Sequence, residues 1–202
     1  QVILGHLQDR GARSIGVVAT DQAYIEDMLR GLQAQAPKDM QITLVDQYLG
    51  NQNDFRSTIT KLGQKKFDFL GVYLAAGQIG QFYRQFHQQG LKIPTFGTNF
   101  FESQSEMDMA AGAMEGALYV NHYVDPGFFE RYMREFGNAS QITWAALAYE
   151  FTSLLAMLWQ DSKQRMSGHD FLAALPTLAP GRGKAAGNYR FSDSPQVGKF
   201  IE

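Results

Sequence analysis

The stretch that most limits what this chain can fold into runs from Phe67 to Asn99, FDFLGVYLAAGQIGQFYRQFHQQGLKIPTFGTN. Its apolar run Phe67 to Leu74 is bounded by Lys65-Lys66 and Ala75-Ala76-Gly77, and is too short and continuous for a surface helix. It reads as a strand buried on both faces. Ile79, Phe82, Tyr83 and Phe86 then share one helical face, and Gln89-Gly90 supplies a stop signal. After Pro94, Thr95-Phe96-Gly97 is a second short strand that breaks off at Thr98-Asn99. The stretch is one βαβ unit whose two strand exits belong on one edge of a parallel sheet.

The units upstream repeat the pattern. Ser14 to Thr20 is rich in small and β-branched residues and runs into Asp21, a good helix N-cap. The helix that follows carries Ile25, Met28, Leu29 and Leu32 on one face and stops at Ala36-Pro37. Gln41 to Tyr48 reads as the next strand, with Val45 breaking strict alternation. After the Gly50 to Asn53 turn, Asn53 is the expected cap of a helix burying Phe55, Thr58, Ile59 and Leu62. Strand and helix alternate three times with short loops, which predicts a doubly wound α/β lobe with helices on both faces.

Beyond Asn99 the pattern changes. A polar, Met-containing segment, Glu102 to Gly112, precedes a short strand at Ala117 to Val120. A helix is expected from Pro126 to Gly137, with Gly137 at a left-handed cap. A longer helix starts at Ser140 or Thr143 and continues through Phe151, Leu154, Leu155 and Leu158. A helical turn over Asp170 to Leu175 ends before Pro176, and a loop at Pro180 to Gly183 leads to one hairpin-like strand at Gly187 to Phe191. This last third is mainly helical and has no run of strands of its own, so its apolar faces need a sheet from elsewhere. A soft boundary falls near Gly116 to Asp125.

Composition removes several function classes. The 202 residues are 45% hydrophobic, enough for one sizeable core or two small lobes without metals or disulfides. With 18 basic against 20 acidic residues, neither nucleic acid nor an anionic membrane is the expected partner. The absence of cysteine excludes disulfides, thiolate metal sites and cysteine nucleophiles. No run of 18 apolar residues argues for a bilayer span, so no direct membrane insertion is expected. The chain opens at Gln1 inside an apparent helix with Val2, Ile3 and Leu7 on one face, which reads as a trimmed or processed piece.

No catalytic or metal set emerges. His6, His87, His122 and His169 are far apart and show no ligand spacing, and no GxSxG elbow is present. Neither phosphate-loop pattern is complete at Gly77-Gln78-Ile79-Gly80 or Gly181 to Lys184. Asn138-Ala139-Ser140 matches a glycosylation sequon by chance. The acidic cluster Glu102, Glu106 and Asp108 lacks calcium-loop spacing and is expected to be a solvated face. In an open α/β sheet, ligands bind outside the carboxyl ends of the strands. Those ends are Thr20-Asp21, Leu49 to Asn51, Ala75 to Gly77 and Thr98 to Phe100.

The order of GVVATDQAYIEDML, DFLGVYLAAGQIGQFYRQFHQQGLKIPTFGTN, AAGAMEGALYV and AYEFTSLLAML resembles the type I periplasmic solute-binding proteins of the leucine/isoleucine/valine-binding class. The resemblance covers nearly the whole chain. It implies that residues 1–117 are the second of two α/β lobes and residues 118–202 a crossover and the mainly helical part of the first, whose opening strands are absent. It implies a small-molecule ligand held between lobes, an ABC permease as membrane partner, no cofactor and an extracytoplasmic location. The ligand-facing tyrosine falls on Tyr24 beside Asp21, the loop after the third strand on Ala75 and Ala76, and an aromatic from the other lobe on Trp144. The family's acidic partner for a ligand ammonium falls on Asn99, next to Phe100. Asparagine supplies no countercharge, so an amide, a carboxylate or an aromatic acid is as consistent as an amino acid.

Each of these residues also has a structural alternative: Tyr24 packs at a helix start, Asn99 forms a turn, Trp144 joins a helical core. Two rival functions stand beside the solute receptor. One is a ligand-sensing domain of the same fold; the other is an α/β enzyme using Asp21, Tyr24 or Asp68 in acid–base work.

Overall fold

The computed structural model describes residues 2–139, 142–162, 166–178, 181–190 and 199–201. Ser140, Pro180 and Phe191, which enter the expectations for a helix start, a loop and a strand, lie outside them. The chain divides into two compact units, Gln1–Asn121 and His122–Glu202.

The first unit is built on five parallel strands: β1 (Ser14–Thr20), β2 (Gln41–Tyr48), β3 (Phe69–Tyr73), β4 (Thr95–Gly97) and β5 (Leu118–Tyr119). Their order is β2-β1-β3-β4-β5. The chain leaves β1 toward one side through α2 (Ala23–Gln35) and crosses back from β2 to β3 through α3 (Arg56–Gly63). Right-handed crossovers in opposite directions put these helices on opposite faces. Accordingly, α1 (Val2–Asp9) and α2 bury Leu4, Leu7, Ile25 and Leu32 against one face. On the other, α3 and α4 (Ile79–Gln88) bury Phe55, Ile59, Leu62, Phe82 and Phe86. All five residues of β3 are buried, as a central strand covered on both faces requires.

Two local expectations are corrected. Asp21 does not cap α2: Gln22 holds the N-cap without a side-chain bond, and the Asp21 amide instead donates to the Tyr48 carbonyl at 2.7 Å. Asn53 does not cap α3, whose N-cap is Phe55. That loop is held from α4, where Gln85 accepts from the Phe55 amide at 2.8 Å and donates to the Asn53 carbonyl at 2.9 Å. The segment at and after Asn99, which the sequence pattern leaves unassigned, forms a 3-10 turn (Asn99–Glu102) and then α5 (Gln104–Ala110). The break of alternation at Val45 has a structural counterpart, because the β1–β2 register slips between Val17 and Val18, passing from Leu44 to Asp46.

The second unit opens with α6 (Pro126–Phe136), which starts and stops on strong signals. The Asp125 carboxylate accepts from the Gly127 and Phe128 amides at 2.9 and 3.2 Å, Pro126 occupies the first turn, and Gly137 ends the helix at φ 73°. The long α7 (Ile142–Ser162) and short α8 (Gly168–Ala174) follow. By length and composition alone Ile142–Gln160 could cross a bilayer. At its centre, however, buried Glu150 accepts from the Ala185 amide at 2.8 Å and the Ala186 amide at 3.3 Å, tying this helix to a buried loop. Instead of one hairpin-like strand, the unit holds a small antiparallel sheet of β6 (Gly181–Arg182), β7 (Asn188–Arg190) and β8 (Lys199–Ile201).

Candidate functional site

The order β2-β1-β3 reverses direction between β1 and β3, and that reversal splays the loops leaving their carboxyl ends. A crevice at such a point is the usual ligand site of an open α/β sheet. One side chain knits the three exits together. Gln78, only 1% exposed, accepts from Thr20 Oγ1 at 2.5 Å and from the Ala75 amide at 3.3 Å. Its Nε2 donates to the Leu49 and Gln52 carbonyls at 3.0 and 2.7 Å. Thr20 Oγ1 in turn accepts from the Ala75 amide at 2.9 Å. Buried polar groups that satisfy one another in this way rigidify their surroundings, so the floor of the rim is fixed before any ligand arrives.

Two of the sequence-predicted residues touch along this rim, and two more stand at the same strand exits. Tyr24, 48% exposed at the start of α2, lies with its ring centroid 6.1 Å from that of Phe100. The contact joins the exit of β1 to the exit of β4. Thr98 caps the turn there, its Oγ1 accepting from the Phe100 amide at 3.3 Å. Asn99 is 7% exposed, and its Nδ2 has no hydrogen-bond partner. An unpaired buried donor costs about 1–3 kcal/mol. Asp21 is exposed at the end of β1. Beneath the rim, burial pushes the Tyr48 and Tyr73 hydroxyls up to about 12, so both remain neutral near pH 7.

Ala75 is buried and engaged through its amide, whereas Ala76 and Gly77 are exposed. The loop they form is held from behind by a residue assigned above to a solvated face. Glu106 is 1% exposed; its Oε2 accepts from the Gly80 amide at 2.7 Å and its Oε1 from the Gly77 amide. Only Asp108 of that acidic cluster is exposed, while half-buried Glu102 accepts from Asn121 Nδ2. The expectation fails because α5 packs directly on α4. A Cβ built on Gly80 would lie 2.4 Å from the Glu106 carbonyl oxygen. Glycine at that position was the available sequence signal for a close approach.

The remaining candidates lie elsewhere. Trp144 is 45% exposed in the first turn of α7, in the second unit. Asp68 sits at the opposite end of the sheet from Asp21 and Tyr24. Its Oδ2 accepts the Arg13 and Ser14 amides at 2.9 Å each, and these bonds hold its carboxyl below the usual range. Asp68, one of the three residues considered for acid–base work, therefore stands apart from Asp21 and Tyr24. Among the described residues no group of three histidines or carboxylates could hold a metal ion.

A family model described as periplasmic binding protein matches residues 1–194. No curated protein matches the sequence. Among solved structures, the branched-chain amino acid transporter substrate-binding protein LivJ from Streptococcus pneumoniae, in complex with isoleucine, superposes with a TM-score of 0.75 at 18% identity. That match covers 95% of this chain and 56% of the other. A putative branched-chain amino acid ABC transporter protein from Rhodospirillum rubrum gives 0.65 at 16% identity, covering 99% of this chain and 60% of that one. A fatty acid ABC transporter substrate-binding protein from Thermomonospora curvata gives 0.57 at 18%, over 68% and 39%. The chain thus spans between 56% and 60% of the first two, and at these identities the likeness establishes the type I fold. By the match over residues 1–194 and the doubly wound parallel sheet beneath it, the chain belongs to the periplasmic binding protein family.

Proposed function

We propose that this chain is part of an extracytoplasmic solute-binding protein that captures a small polar ligand between two lobes and presents it to an ABC importer. The ligand class is an amino acid, an amide or an aromatic acid. The observation that carries the reading is the set of exits at the strand reversal: Tyr24 and Phe100 paired across it, with the unpartnered Nδ2 of Asn99 beside them. A tilted aromatic pair, its planes at 56°, beside an unmet donor fits a ligand with an apolar body and a hydrogen-bond acceptor. The named relatives, one solved with isoleucine and one described as a fatty acid binder, are consistent with a small carboxylate-bearing ligand.

Capture requires no covalent chemistry. Ligand bound to one lobe makes further contacts only when the lobes close, so it stabilises the closed form by its differential affinity for it. In this scheme Tyr24, Asp21, Ala75, Ala76, Asn99 and Phe100 form the wall that the first unit offers the ligand. The permease reads closure.

Thermal unfolding of the full-length protein against L-leucine, L-phenylalanine, L-glutamine, benzamide and 4-hydroxybenzoate tests the reading. Stabilisation by at least one, rising with concentration as linkage requires, is expected. Silence across these and a wider panel of small polar solutes contradicts it.

A further inference from the structure

The N-terminus of α4 is a place where a free anion would be expected. Its first amides are unpaired within the helix, its dipole favours negative charge, and it opens from the exit of β3 beside the strand reversal. The chain fills that place itself. The Glu106 carboxylate accepts from Gly77 and Gly80 while 1% exposed, and among the described residues no basic side chain pairs with it. Its backbone is brought there by the glycine contact between α4 and α5, where nothing larger than hydrogen fits at position 80.

Glu106 also joins two separate stretches of the rim. Its carboxylate grips the end of the Ala75–Gly77 loop, and its own helix follows directly on the Asn99–Glu102 turn that carries Asn99 and Phe100. We propose that Glu106 is an internal anion that occupies the α4 N-terminus, fixes the β3 and β4 exits relative to one another, and denies that N-terminus to anionic groups of a ligand. The part concerning the ligand rests on the function proposed above; occupation of the helix terminus does not. A carboxylate suits the role because both oxygens accept. Glutamine of the same shape offers one acceptor and turns an NH2 group toward the second amide, donor against donor.

Two variants of the full chain test this without any knowledge of the natural ligand. Glu106→Ala vacates the amides, so its lowered melting temperature should be at least half recovered by sodium formate. Sodium chloride at equal ionic strength should not do this, and the wild type should respond to neither salt. Glu106→Gln keeps the volume and should show no formate recovery. At least one of its Gly77 and Gly80 amides should exchange with solvent at least tenfold faster than in the wild type, with Val72 in β3 unchanged. Formate acting no better than chloride on Glu106→Ala overturns the proposal, as does wild-type protection of both Gly77 and Gly80 in Glu106→Gln. Should Glu106→Ala fail to fold, the exchange rates in Glu106→Gln decide alone. A failed ligand screen would leave both readouts intact, so the two claims fall separately.

Discussion

Replacing Gly80 by alanine sets two physical effects against each other, and the structure says which prevails. Within a helix, Gly→Ala ordinarily gains at most roughly 0.5–1 kcal/mol because alanine loses less backbone entropy, and Gly80 is the second residue of α4. At Gly80 the new Cβ would meet the Glu106 carbonyl oxygen at 2.4 Å, the Met109 Cβ at 2.7 Å and the Ala110 amide nitrogen at 3.1 Å. The first overlap is about 1 Å short of ordinary contact, and two of the three atoms are backbone, so α4 and α5 must separate. Overpacking typically costs ~1–3 kcal/mol, and a clash that rotamers cannot relieve belongs at the upper end. Net destabilisation of about 2 kcal/mol is expected. Gly31 in α2 is the matched control, since its nearest atom would be Gln35 Nε2 at 3.9 Å, and Gly31→Ala should stabilise by roughly 0.5–1 kcal/mol. With a urea m-value on the order of 2 kcal/mol per M, the two midpoints should lie more than about 1 M apart on opposite sides of wild type. Urea unfolding followed by far-ultraviolet circular dichroism measures this. Gly80→Ala unfolding at or above the wild-type midpoint would refute the packing of α5 on α4, and with it the burial of Glu106.

Other consequences follow from the same geometry. Gln78→Leu keeps volume but strands Thr20 Oγ1 and the Leu49 and Gln52 carbonyls, so urea unfolding should show a loss of about 2–4 kcal/mol. Asp68 has its pKa held down by the Arg13 and Ser14 amides, so its contribution is present above the unfolded value and is lost as pH falls through the folded one. The stability gap between wild type and Asp68→Asn should therefore be constant above about pH 5 and shrink progressively below about pH 4 in urea titrations. Tyr24→Ala should change stability by less than about 0.5 kcal/mol, because the ring is half exposed, while weakening any ligand that the wild type binds.

The sheet was legible because its signals are local. The buried run ending at Leu74, the helical face from Ile79 to Phe86 and the stop at Gly90 each lie within a few residues, and even the slip in β2 left its mark as Val45 out of phase. Strand exits follow from the topology and mark Ala75, Asn99 and Phe100, whereas Tyr24 is singled out by the family resemblance; the structure brings the rings of Tyr24 and Phe100 together. The supports of the rim were not legible. Glu106 stands in a polar run that looks like a solvated face, and Gln78 in a turn that looks like an incomplete phosphate loop. Their roles arise from partners 26 to 58 residues away, which no periodicity encodes. Only Gly80 hinted at the first, as a glycine inside an otherwise sound helix. The second unit gave its helices through Asp125, Pro126 and Gly137, but its small sheet is made of strands two or three residues long, too short for alternation to register.

The most direct test of the ligand rim takes whichever compound stabilises the full-length protein and titrates it calorimetrically into wild type, Tyr24→Ala and Asn99→Leu. Affinity should fall at least tenfold in each variant while melting temperatures without ligand stay within a few degrees of wild type. Undiminished affinity in both variants would place the binding site away from the exits of β1 and β4 and contradict the account.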